Sequence, residues 1–242
     1  MIWKYLHKLR GHQRYIFNCY IPKENGETTE IDVILLHESG IYVFESKNYS
    51  GWIFGNETQQ YWTQTLPAGR GRSQKERFFN PVTQNKVHLK WLSKYLNKDI
   101  NLFYSYIVFS DRCTLKDVTI PSGQHHVINR YNILPEVQLN ARLSGQKLTV
   151  NEIDSLYATL RPLTQVDEAQ KLAHVETIRK KKTSPHSNSK LNNGQVICPL
   201  CGEPLVLKTA SRGSRAGTQF WGCSNYPKCR YIHNIDPEKM DA

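Results

Sequence analysis

The chain has 242 residues, 39% of them hydrophobic and 11% aromatic. That is enough apolar matter for one ordinary domain with a small appendix, and too much for a disordered or fibrous protein. Lysine and arginine number 32 against 21 acids, a formal net charge of +11, which favours an anionic partner, nucleic acid ahead of a membrane surface.

The opening Met1-Ile-Trp-Lys-Tyr-Leu-His-Lys-Leu-Arg10 lacks the apolar run and small-residue cleavage site of a signal peptide. No stretch approaches the ~18 consecutive apolar residues of a membrane span. The expectation is a cytoplasmic protein, with a nucleoid association open to it, whose thiols stay reduced; clustered cysteines then point to metal rather than disulfides. Cys19 and Cys113 stand alone among apolar neighbours and read as buried free thiols.

Up to about Pro162, β-branched and aromatic runs alternate with helical patterns, as in a mixed α/β domain. Residues 31–36 and 41–47 are the clearest strands, apolar on both faces and therefore central. His37-Glu-Ser-Gly40 is the turn between them, with Gly40 free to take a positive φ. If Leu36 pairs with Ile41, the antiparallel register sets Asp32 opposite Glu45. Opposed Cβ atoms lie ~4.5–5.5 Å apart, where like charges are destabilising. A divalent cation with oxygen ligands would offset that repulsion. Lys47, two residues beyond Glu45, shares its face, and an ammonium beside a metal can orient a water and stabilise charge on a phosphate. The plainer alternative is an exposed Glu45–Lys47 edge pair, with Asp32 a solvated residue at a strand start.

Between Leu66 and Phe79, Arg70, Arg72, Lys75 and Arg77 crowd a glycine-containing stretch with one acid, Glu76. It reads either as a solvated loop or as a phosphate-gripping loop beside the site, adding salt-dependent affinity. Asn80-Pro81 then opens a helix, proline being suited to the first turn. Val82, Leu89, Leu92 and Leu96 form its core stripe, and Gln84, His88, Trp91 and Tyr95 a neighbouring one. Residues 102–109 read as a later strand. From Thr164 an amphipathic stretch runs into Arg179-Lys-Lys-Lys182 and then a Pro- and Ser-containing polar segment, a linker.

The last segment carries Cys198-Pro-Leu-Cys201-Gly and Cys223-Ser-Asn-Tyr-Pro-Lys-Cys229. Two residues between thiolates let both reach one tetrahedral ion, and the second pair closes the site: Cys198, Cys201, Cys223 and Cys229 are expected to hold structural zinc. A module this short buries too little apolar surface to fold without it. Between Lys208 and Arg230 lie Lys208, Arg212, Arg215, Lys228 and Arg230 and no acid, interleaved with Phe220, Trp221, Tyr226 and Tyr231. Cations with stacking rings suit single-stranded nucleic acid, although either Trp221 or Phe220 is expected in the small core.

Two resemblances follow from these residues. Glu30-Ile-Asp32, then Gly40-Ile-Tyr-Val-Phe-Glu45-Ser-Lys47-Asn-Tyr-Ser-Gly51, then Trp62, then Asn80-Pro-Val-Thr-Gln84-Asn85 resemble the nuclease-related (NERD) domain of the PD-(D/E)XK nuclease superfamily. The resemblance implies an α/β, restriction-endonuclease-like mixed sheet flanked by helices over residues 1–179, a magnesium ion on Asp32 and Glu45, Lys47 positioning the attacking water, and Gln84 as an accessory site residue. The family's Gly-Glu pair early in the first helix has no match here, Met1 to Leu9 corresponding to the later part of that helix. The expectation is an upstream start or a metal site one carboxylate short.

The cysteine segment with Gly217-Thr-Gln-Phe-Trp-Gly-Cys223 resembles the C-terminal zinc finger of bacterial type IA topoisomerases, which implies a zinc ribbon over 194–242, after a basic and polar linker at 180–193. It implies contact with DNA, chiefly single-stranded, without topoisomerase activity, because the domains holding that enzyme's tyrosine cannot fit in this length. The combined expectation is a magnesium-dependent nuclease-like protein with a DNA-holding ribbon. A non-catalytic DNA binder and an RNA-directed protein are the alternatives.

Overall fold

A computed structural model of the chain describes residues 2–69, 72–165, 191–192, 195–196, 198, 203–211, 216–227, 229 and 231–234. The chain divides into two compact units, Met1–Ile178 and Arg179–Ala242.

The first unit is α/β, with mixed sheets flanked by helices. A five-stranded sheet is built from β1 (Gln13–Pro22), β2 (Thr28–His37), β3 (Gly40–Lys47), β7 (Phe103–Phe109) and β9 (His125–Asn129), in that spatial order. β1, β2 and β3 are antiparallel neighbours, whereas β3, β7 and β9 run parallel. The β2–β3 hairpin has the expected register, Leu36 opposite Ile41, and turns through Glu38 and Ser39, with Gly40 at φ 139°. Apolar residues on both faces are explained by what covers them. Ile34, Leu36, Ile41 and Val43 pack under helices α2 (Pro81–Leu96) and α4 (Val150–Leu160). Tyr42 and Phe44, of opposite parity, pack with Leu6 of the short helix α1 (Trp3–Leu6) and with Ile133 and Val137 of α3 (Ile133–Ser144). Since side chains alternate along a strand, Asp32, Glu45 and Lys47 share the face of Ile34 and Val43, beneath α2.

A second sheet has the order β6 (Ser73–Phe79), β5 (Tyr61–Pro67), β4 (Gly51–Asn56) and β8 (Cys113–Thr119). This corrects the reading of the basic stretch as a loop: Lys75 and Arg77 lie in β6, paired with Thr65 and Thr63. An edge strand exposed on both sides shows no apolar alternation, so its polarity resembles that of a loop. The inner face of this sheet carries Ile53 and Trp62, fully buried against Val82, Ile107 and Phe109. Trp62 stacks on Phe109 with ring centroids 6.2 Å apart, and a Cβ on Gly55 would lie 2.1 Å from its ring. Gly55→Ala should therefore cost about 1–3 kcal/mol through overpacking, read as a lower urea midpoint at unchanged m-value.

In the second unit, β10 (Leu191–Asn192) pairs with β11 (Gln195–Val196), and β12 (Leu205–Thr209), β13 (Gln219–Cys223) and β14 (Ile232–Asn234) form an antiparallel ribbon. Cys19 and Cys113 are buried free thiols, and burial pushes the Cys19 thiol up to about 12. No helix among the described residues is long and apolar enough to cross a membrane.

Candidate active site and zinc centre

The helix above the polar strand ends is fixed at its first turn. The Asn80 carboxamide oxygen accepts from Val82 N–H at 2.9 Å and Thr83 N–H at 3.4 Å, capping two of the donors a helix start leaves open. Its Nδ2 donates to the carbonyls of Gln59 at 2.7 Å and Glu57 at 3.0 Å. The Asn-Pro pair thus starts α2 and also pins it to the β4–β5 connection.

From that anchor, Gln84 and His88 fall one turn apart on one helix face and reach down to β3. Gln84 Oε1 accepts from Lys47 Nζ at 3.0 Å, and Lys47 Nζ donates to Glu45 Oε1 at 2.6 Å. His88 Nε2 lies 3.1 Å from Glu45 Oε2, and His88 Nδ1 lies 2.7 Å from Thr29 Oγ1. A carboxylate only accepts, so Nε2 carries a proton; in the neutral ring Nδ1 then accepts from the Thr29 hydroxyl. Asp32, Glu45, Lys47 and Gln84, all singled out from the sequence, therefore lie together. His88 and Thr29 complete the cluster. His88 stands in the same helical stripe as Gln84, a spacing that could have flagged it; nothing in the sequence marks Thr29.

The paired register stops at Val33 opposite Phe44, one position before Asp32 and Glu45. There the Asp32 carboxylate takes over as acceptor, receiving the Ser46 N–H at 2.7 Å. The two acids have different surroundings. Glu45 is 3% exposed. Burial pushes its carboxyl up, but the hydrogen bond from His88 and the charge of Lys47 outweigh that, and its pKa falls below the ordinary range. Asp32 is raised to about 6 by burial first and the Glu45 charge second, against the opposing pull of the Ser46 amide and Lys47. Near neutrality Glu45 is firmly ionised, while Asp32 is close to taking up a proton.

A stability effect follows from the sign of the Asp32 shift. Its folded pKa lies above the unfolded value of ~3.9, so its contribution is fully present below about pH 4 and is lost as pH rises through about 6. Metal-free protein should lose stability across that window, and Asp32→Asn should flatten this part of the profile. Urea titrations between pH 4 and 7 would read it; identical profiles for parent and variant would contradict the assigned environment.

Arg72 is exposed at the β5–β6 turn, where its N–H donates to Gly69 O at 2.9 Å. It makes no contact with the acid cluster among the described residues. Arg70 lies outside them.

In the ribbon, Cys198, Cys223 and Cys229 are buried with their Sγ atoms all within 4.8 Å of one another. Cys198 and Cys229 sulfurs are 3.7 Å apart, and Asn225 N–H points at Cys223 Sγ from 3.4 Å. Converging thiolates with a backbone amide turned toward sulfur are the donor set of a structural zinc ion. Cys201, the fourth expected ligand, lies outside the described residues, as do Arg212, Arg215, Lys228 and Arg230. Of the two rings between which the core was expected to choose, Trp221 packs against the cysteine cluster. Phe220 is half-buried opposite Lys208. Tyr226 is 63% exposed, with Lys208 Nζ 5.4 Å from its ring centre.

The first unit is thus a mixed α/β domain with a carboxylate–lysine–glutamine cluster under a capped helix, and the second a ribbon with a cysteine cluster. Residues 1–110 match the sequence pattern of the nuclease-related domain (NERD) family. A second pattern, the topoisomerase DNA binding C4 zinc finger, matches residues 195–238. The chain is 31% identical over 182 residues to an uncharacterized protein of Bacillus anthracis, an alignment covering 75% of this chain and 82% of that one. It is 46% identical over 44 residues to DNA topoisomerase 1 of Methanocaldococcus jannaschii, covering 18% of this chain and 5% of the relative. It is 27% identical over 138 residues to DNA topoisomerase 1 of Mycoplasma genitalium, covering 51% and 19%. The chain thus spans only a small part of either topoisomerase. No solved structure matches it.

Proposed function

We propose that the chain is a cytoplasmic DNA-processing protein of two domains, residues 1–179 and 194–242, joined by a linker at 180–193. The first would hydrolyse phosphodiesters with magnesium and the second would hold DNA, chiefly single-stranded, through its zinc ribbon. The observation that carries the reading is the cluster itself: the Asp32 carboxylate on the Ser46 N–H, beside Glu45, with Lys47 bridging Glu45 to Gln84.

Asp32 and Glu45 are hard oxygen donors of the kind magnesium takes. Burial first and the Glu45 charge second raise the pKa of Asp32, and a divalent cation would offset the repulsion between the two carboxylates, so the residues fit such an ion and would hold it. When bound, such an ion supplies Lewis-acid stabilisation of phosphoryl charge and a more acidic water. Gln84 and Glu45 hold the Lys47 ammonium at a fixed point, from which it orients a water and meets charge developing on phosphate. His88, donating to Glu45, and Thr29, bonded to His88, fix the carboxylate in turn. In the ribbon, Tyr226 with Phe220, and Arg212, Arg215, Lys228 and Arg230, are the proposed DNA contacts. Arg70 and Arg72 would add phosphate contacts from the first domain.

One observation favours a second reading, a DNA binder without turnover. Both oxygens of Glu45 are already engaged, by Lys47 and His88, so the cluster can stand as a self-neutralised polar core. Incubation with single- and double-stranded DNA, with and without magnesium, separates the readings. Magnesium-dependent cleavage supports the nuclease, and binding without cleavage supports the alternative.

A further inference from the structure

The second sheet of the first unit has an outer face that the acid cluster does not use. Its inner parity, Ile53, Trp62 and Phe78, faces the core. The outer parity is set by the register: Trp52 opposite Thr65 opposite Lys75, then Phe54 opposite Thr63 opposite Arg77, then Tyr61 opposite Phe79. Trp52 is 47% exposed, Tyr61 41% and Phe79 39%. Arg77 lies over the Tyr61 ring at 4.9 Å, and the Tyr61 and Phe79 rings meet edge to face at 6.2 Å. An open cleft of about 510 Å³ is lined by Gln59, Gln60, Tyr61, Thr63 and Arg77.

On this face β4 carries Trp52 and Phe54, β5 carries Thr65 and Thr63 and then Tyr61, and β6 carries Lys75 and Arg77 and then Phe79. Adjacent strands are ~4.8 Å apart, so the β4 rings stand roughly 10 Å from the β6 cations across the buried Thr65 and half-buried Thr63, about the breadth of one nucleotide from base to phosphate, with Tyr61 closer, under Arg77. Guarding an edge strand would account for Lys75 and Arg77 alone. It does not account for the exposed rings gathered on the same face. Of the nearby acids, Glu76 has inner parity opposite Gln64, and Asp117 lies on β8 beside Phe54, on the side of the ring row away from the cations.

We propose that this face is a stacking platform for single-stranded DNA, bases on Trp52, Phe54 and Tyr61 and phosphates along Lys75 and Arg77. It rests on the reading that the chain handles DNA, and adds a binding surface to the first domain itself. Phe79 immediately precedes the Asn80 cap of the helix that carries Gln84, and β4 follows directly on the loop after Lys47, so the platform is covalently continuous with both arms of the acid cluster.

The experiment is anisotropy of a labelled oligo-dT with the full chain over a salt series, using the parent, Trp52→Ala, Tyr61→Ala, a Lys75→Gln/Arg77→Gln double variant and, for the ribbon, Tyr226→Ala. Each ring removed should weaken binding about 5-fold or more. The double variant, whose side chains are exposed and whose fold is not at risk, should also reduce the salt slope by about 1.4, at ~0.7 per phosphate contact on a single strand. Ultraviolet cross-linking should map to the 52–79 peptides as well as to the ribbon. Unchanged affinity and slope in the double variant, with Tyr226→Ala still weakening binding, would overturn the platform and leave the ribbon reading standing. Loss in the platform variants with Tyr226→Ala unaffected would support the platform and remove the ribbon. Tighter binding of the equivalent RNA strand than of DNA would overturn the choice of DNA.

Discussion

The Asp32→Asn variant is expected to lose magnesium-dependent DNA cleavage by about a thousandfold or more while melting at a higher temperature than the parent at pH 7. The first effect follows from removing one of two anionic donors to an ion whose charge stabilisation is worth several kcal/mol. The second follows from its raised pKa: at pH 7 a buried carboxylate beside Glu45 is ionised against its preference, and a neutral amide of the same shape removes that cost. The amide oxygen can still accept the Ser46 N–H. Opposite signs of stability and activity are the mark of a group kept for function rather than for the fold.

Glu45→Gln should also abolish cleavage, but with a fall in stability of about 3–5 kcal/mol, because its buried carboxylate is the counter-charge for Lys47 and the acceptor for His88. Lys47→Ala should abolish turnover while magnesium binding survives, since an ammonium is not a ligand. Calcium, less exacting in geometry, should support binding without cleavage. Cleavage rates and melting curves on the same preparations decide the matter. If Asp32→Asn cleaves at the parental rate, or if the parent shows no magnesium-dependent cleavage of either strand form, the enzyme reading gives way to the non-catalytic DNA binder.

The acid cluster is legible in the sequence because the interactions that assemble most of it are local. A two-residue turn next to Gly40 ties Leu36 to Ile41, and strand parity then carries Glu45 and Lys47 onto the face of Asp32 without further information. Asn80-Pro81 is equally local, since a cap and a first-turn proline act within four residues. His88 is visible only as a member of a stripe. Its role depends on the rotation of α2 over β3, which the Asn80 contacts to the Gln59 and Glu57 carbonyls set. The second sheet escapes sequence reading for a different reason. Ser73–Phe79 has no buried face of its own beyond Phe78, so no apolar period announces it. Its strand character comes entirely from pairing with β5, and the exposed rows on its outer face become evident only once that register is known.

Stripping zinc from the purified chain is expected to unfold the ribbon and leave the first unit intact. Among the ribbon's described residues, the buried apolar set beyond the three cysteines is Leu205, with Trp221 and Tyr231 packed against it, while Val206, Leu207 and Ile232 are exposed. Such a set falls far short of offsetting the chain entropy of ordering, whereas structural zinc contributes roughly 10–16 kcal/mol in comparable modules at neutral pH. The first unit draws on three apolar clusters of its own, none of which includes a cysteine of the ribbon. Metal analysis should therefore find about one zinc per chain, retained through dialysis and released only by strong chelation. Cys223→Ser should lose the ion and, with it, protection of the β12–β14 amides from hydrogen exchange, while amides of β2, β3 and β7 keep theirs. Cys201→Ser should behave alike if it completes the tetrahedron. Zinc-free protein with the ribbon amides still protected, or Cys223→Ser retaining a full equivalent of zinc, would show that the cysteines are not what folds this unit.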